Sequence, residues 1–195
     1  MRATRTLLLA LCLAALTGCV SVETGPNRGV DVSQGSAKRA ELYREQVEEM
    51  RYMRNQELMS RIGYLVRSGE DAAPAVREGT KSDDWLVRSS SVYILGQMGD
   101  RRNIPALHAC LGDASDVVRY QAAASLVTLG DPRGFPTLVE GLADPDLQQR
   151  FKCFQILKSA TGQDFGYRHD GTPDDRRLAL ARWNDWLASV RASAL

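Results

Sequence analysis

The chain has 195 residues, of which 44% are hydrophobic, 25% charged and 7% aromatic. That balance excludes whole-chain disorder and allows one domain with an appendage. Lys and Arg number 25 against 24 Asp and Glu, which argues against the broad basic face that nucleic-acid binding needs.

At the N-terminus, Arg2 and Arg5 precede residues 7–16, an unbroken apolar run of ten. Ten residues cannot cross a hydrocarbon core of ~30 Å, which takes about 20 helical residues. They match the h-region of a secretory signal peptide. Leu16-Thr17-Gly18-Cys19 then resembles the bacterial lipobox. The resemblance implies a signal peptide over 1–18, cleavage before Cys19, a diacylglycerol on its sulfur and an acylated new amino terminus. Two or more acyl chains anchor stably where one is marginal. Val20 in place of Asp leans towards the outer membrane rather than the inner. The other reading is an ordinary secretory signal that leaves Cys19 a free thiol. Cys12 lies in the apolar run, so Cys110 and Cys153 are the two thiols of the body, too few for a disulfide framework.

Residues 20–35 are rich in Gly, Ser, Asn and Asp and lack hydrophobic periodicity. With Cys19 they read as a lipidated, flexible tether of at most ~55 Å reach. From Ser36 the periodicity changes. Leu42, Val47, Met50, Met53 or Arg54, Leu58, Ile62 and Leu65 form the stripe of an amphipathic helix over 36–66, with room for a break near Asn55. It reads as a coiled-coil or partner-docking helix, or as a cap on the body. The cap is preferred because no strict heptad persists.

The body contains a repeat. At an offset of 31, ten positions of 83–113 recur in 114–144: Val87/Val118, Arg88/Arg119, Leu95/Leu126, Gly99/Gly130, Asp100/Asp131, Arg102/Arg133, Pro105/Pro136, Leu107/Leu138, Leu111/Leu142 and Asp113/Asp144. The pattern extends backward to Pro74 and Val76 and forward to Arg150 and Leu157, giving about four units over 52–158. Each unit reads as a helix pair. Gly-Asp ends the first helix and Pro opens the second, and stacking the pairs buries one continuous core.

The unit VR-x6-L-x3-GD-x4-P-x-L-x3-L-x-D resembles a bacterial HEAT-like repeat of the short kind found in phycobilisome lyases. The resemblance implies that Arg88, Arg119 and Arg150 are structural and pair with Asp113 or Asp144 of a neighbouring unit. Residues 159–195 depart from the repeat. They resemble a tail of some bacterial HEAT-repeat proteins, an aromatic loop followed by a helix with Trp183 and Trp186. Thr172-Pro173-Asp174-Asp175 starts that helix well. It reads as the lid on the last repeat, with ligand stacking on the Trp pair as the alternative.

Signals for chemistry are sparse. The chain lacks a phosphate-cradling glycine loop, a Cys-x-x-Cys and a His-Glu-x-x-His. His108 reads as a surface residue, and Asp164, His169 and Asp170 share one loop without defining a metal set. Cys110 and Cys153 read as buried core residues, too far apart to bridge.

These readings give an all-α fold, an α-solenoid of about four HEAT-like helix pairs between N- and C-terminal capping helices. The function expected is a non-enzymatic, cofactor-free binding or scaffold module, lipid-anchored in the bacterial cell envelope. Its protein partner would meet second-helix positions such as His108, Ala109, Val139 and Glu140. The alternatives are an envelope-assembly or maintenance factor docking through 36–66, and an enzyme like the phycobilin lyases.

Overall fold

The computed structural model describes residues 32–193. Cys19, its lipidation and the Leu16–Cys19 motif lie outside the described residues. The chain divides into two units at Gln34/Gly35, and the second contains the whole repeat array. Among the described residues there are nine α-helices and no strand, and the array is an all-α solenoid.

α1 (Val32–Glu48) buries Tyr43 and Val47, four residues apart on one face. The long helix expected over 36–66 is two helices. After a 3₁₀ turn at Glu49–Tyr52 the chain runs extended at Met53. It re-enters a helix at Asn55, which has φ +48. α2 (Asn55–Ser68) buries Ile62 and Leu65. Arg61 Nη1 crosses the break, donating to Gln46 O at 3.1 Å and Glu49 Oε2 at 3.0 Å.

The array follows as α3 (Ala73–Gly79), α4 (Trp85–Gln97), α5 (Ile104–Ala109), α6 (Asp116–Thr128), α7 (Phe135–Gly141) and α8 (Leu147–Thr161). Its punctuation is chemical. Asp84 accepts from Leu86 N at 2.7 Å and caps α4, and Asp146 accepts from Gln148 N at 2.6 Å and caps α8. Gly99 (φ +70) and Gly130 (φ +76) take the left-handed turn that ends α4 and α6, where a Cβ would be strained. Asp100 and Asp131 then hold the next turn through Arg102 N and Arg133 N, at 2.9 and 3.0 Å. Pro105 and Pro136 sit in the first turns of α5 and α7.

Small residues let the layers approach. A Cβ on Gly79 would lie 2.5 Å from Ser91 Oγ, and one on Gly141 would lie 2.3 Å from Cys153 Sγ. In the unit between them the same two columns hold Cys110 and Ala122, both buried in one core cluster. Bulk has moved from one partner to the other while the space stays filled.

α9 (Pro173–Ser193) closes the last unit. Trp186 meets Phe135 of the turn into α7 edge-on, with ring centres 5.2 Å apart. Trp183 is fully buried between Phe165 and Trp186, at 4.7 and 5.5 Å. Its indole N–H finds no conventional acceptor among the described residues. The Trp pair is therefore packing, not an open stacking platform. The loop before α9 is fastened to the array, with Tyr167 Oη donating to Leu142 O at 2.6 Å and Arg150 Nε to His169 O at 2.9 Å.

Candidate functional site

The three repeat arginines share one local role. Arg88, Arg119 and Arg150 each donate to the carbonyl six residues earlier, Ser82 O at 3.0 Å, Asp113 O at 2.9 Å and Asp144 O at 2.7 Å. Each guanidinium thereby pins the loop that precedes its own helix. Between units the pattern varies. Arg88 grips Asp113 with two bonds, of 2.7 and 2.9 Å. This fork geometry suits Arg and carboxylate and holds the Asp113 carboxyl below its ordinary range. Asp144 receives Tyr120 Oη at 2.9 Å instead, while Arg119 turns to Asp116 of its own helix.

The second-helix positions expected to meet a partner do not form one open surface. Val139 is 3% exposed, because α9 packs beside α7. Ala109 and Glu140 are exposed, and His108 is half-buried with Nε2 3.3 Å from Asp131 Oδ2. Asp164, His169 and Asp170 are each engaged elsewhere. Asp164 accepts from Gly166 N at 3.0 Å, His169 meets Phe151 in a tilted ring contact at 4.8 Å, and Asp170 faces Arg168 at 3.5 Å. Among the described residues, no three His, Cys, Asp or Glu side chains gather to hold a metal. Cys110 and Cys153 are free and buried, and burial raises both thiols, that of Cys153 to about 12.

A mostly apolar opening lies on the first-helix face, between α6 and α8 with Tyr93 of α4 at its edge. It is a groove of about 290 Å³. Buried Tyr120, Leu138 and Cys153 form its floor, and Phe151, 38% exposed, stands on its rim. Gln121, Gln149, Gln155 and Lys152 complete the polar edge. The sequence pattern points to the second helices as the binding face and not to this one. Two signals lay in the repeat columns. Phe151 occupies the column of Ser89 and Tyr120, and Gln149 that of the buried Val87 and Val118.

Comparison with known proteins bears on the repeats. Residues 73–158 match the family model for HEAT repeats, which supports reading the array as HEAT-like repeats. Deoxyhypusine hydroxylase of Bos taurus is 31% identical over 104 residues, 51% of this chain and 34% of that protein. The Danio rerio enzyme is 30% identical over 92 residues, 46% of this chain and 30% of its own length. The solved structure of human deoxyhypusine hydroxylase in complex with glycerol aligns with a TM-score of 0.44 at 24% identity, over 64% of this chain and 44% of that one. The chain spans about a third of the length of the curated relatives it matches.

These findings overturn the expected function. The named relatives are hydroxylases, not non-catalytic scaffolds, envelope-assembly factors or phycobilin lyases, so the assignment as a non-enzyme is withdrawn. They come from animals, fungi and a plant, which removes the placement as a lipoprotein of the bacterial envelope. Among the described residues no helix is long and apolar enough to cross a membrane.

Proposed function

We propose that the HEAT array engages a polypeptide, as partner or as substrate, through the groove between α6 and α8. The observation that carries this reading is the groove itself, with its buried apolar floor and the exposed Phe151 ring on its rim. Aromatic side chains at the edge of a dry pocket contribute much of the energy of protein contacts, and stacked helix pairs present extended surface to chain ligands. The test is site-specific photocrosslinking from Gln121, in the groove, and from Ala109, exposed on α5. The expected result is a mapped polypeptide adduct at Gln121 that disappears on Phe151→Ala. Adducts from Ala109 alone would overturn the reading.

The sequence likeness favours a second reading, in which the chain acts on deoxyhypusine and the outcome is its hydroxylation. Incubation with deoxyhypusine, dioxygen and a reductant, followed by mass spectrometry, reads it directly. Gain of one oxygen atom that depends on this chain supports it, and unchanged mass with an active relative run alongside counts against it.

A further inference from the structure

We infer that the α6/α8 groove takes an extended polypeptide that inserts one large uncharged side chain and sets a carboxylate beside Lys152. This rests on the polypeptide reading and adds the chemistry of the ligand.

The first ground is charge. Of the residues lining the groove, Lys152 alone carries a formal charge, and none is a carboxylate. Asp144, bonded to the lining Tyr120, is 8% exposed and accepts Tyr120 Oη and Asp146 N, and Asp116, next to the lining Val117, is paired with Arg119. The charge of Asp144 is met inside the fold, and Tyr120 turns an apolar ring to the opening. A cationic side chain would find no counter-charge there. A neutral one would meet Tyr120, Leu138 and Phe151, and an acidic neighbour would meet Lys152.

The second ground is size and edge chemistry. A volume of about 290 Å³ lies just under the range of small-molecule sites, ~300 to ~1,000 Å³, and suits one or two large side chains. Gln121, Gln149 and Gln155 stand around it, and each carboxamide both donates and accepts. Peptide backbone offers the same mixture, while an acyl chain would leave those groups unmatched.

The third ground is rigidity. Phe151 rests against the His169 ring at 4.8 Å, and that loop is fixed by Arg150. A wall already in place lowers the ordering cost of binding.

The experiment is fluorescence anisotropy of the full chain with three labelled peptides that share a central Phe and differ in flanks of Glu, Ser or Lys. The Glu-flanked peptide is expected to bind about fivefold tighter than the Lys-flanked one, the scale of an exposed charge pair. Lys152→Glu should invert that order, and Phe151→Ala should weaken all three, with circular dichroism confirming that both variants fold. Equal affinity for the three peptides, or an order untouched by Lys152→Glu, overturns the inference. So does preferential binding of a neutral dodecyl detergent, or a dimer in sedimentation that Phe151→Ala abolishes. If no peptide binds while Gln121 still forms a polypeptide adduct, the ligand chemistry falls and the broader reading stands. If both fail, both fall.

Discussion

Tyr120 Oη donates to Asp144 Oδ2 at 2.9 Å, the place where the preceding unit sets Arg88 against Asp113. The substitution is one position out of phase, since Arg119 and not Tyr120 aligns with Arg88. A neutral hydroxyl thus replaces a guanidinium at the junction nearest the groove. Tyr120→Phe would leave a buried carboxylate oxygen short of a donor. A loss of about 1–3 kcal/mol is expected, read as a lower urea midpoint at unchanged slope.

The Arg88–Asp113 pair should show itself in acid. Its folded-state carboxyl titrates below the ordinary 3.8. Its contribution is therefore complete above that value and is lost as pH falls through the folded one. Wild-type stability should drop more steeply below about pH 4 than that of Asp113→Asn, whose curve lacks this component. Parallel curves from chemical denaturation across pH 2 to 6 would contradict it.

Gly141→Ala should be among the most damaging small substitutions, because the new Cβ would lie 2.3 Å from Cys153 Sγ. The double variant with Cys153→Ala should recover part of the loss, as the Cys110 and Ala122 columns of the preceding unit suggest. Overpacking of this kind typically costs about 1–3 kcal/mol. Thermal melts of the two single variants and the pair complete the cycle.

Helix entry should separate Asp from Ser. Asp84 and Asp146 cap α4 and α8 with side-chain bonds, whereas Ser115 before α6 makes none. Asp84→Ala and Asp146→Ala should each cost about 1 kcal/mol, and Ser115→Ala much less.

Both body thiols should resist alkylation. They are buried, and Cys153 is raised to about 12, so little thiolate exists at neutral pH. Iodoacetamide at pH 8 should label neither within the time that labels both in urea. Rapid native labelling at Cys153 would mean that α8 opens.

The array was readable because its signals are local. Gly99 and Gly130, Pro105 and Pro136, and the Arg88 column recur at a fixed period, and each dictates a turn, a helix start or a pinned loop by itself. The break at Met53–Asn55 was half visible, since the apolar stripe loses its phase there. The burial of Val139 was not. Its apolar side chain points out of α7 until α9, a distant segment, lies over it. The groove is hidden for the same reason, as it belongs to four helices and to no single stripe. The functional expectation failed where it leaned on residues 1–19, which say nothing of what the repeats contact.

The aromatic plug formed by Phe135, Phe165, Trp183 and Trp186 bears on how such a chain can change length. A new helix pair stacked after α8 would have to dislodge α9 and expose those four rings. A pair spliced in between Gly99 and Gly130, where consecutive units present matching faces, would leave both ends untouched. Tandem duplication in this lineage should therefore be tolerated from the middle and selected against at the C-terminal side.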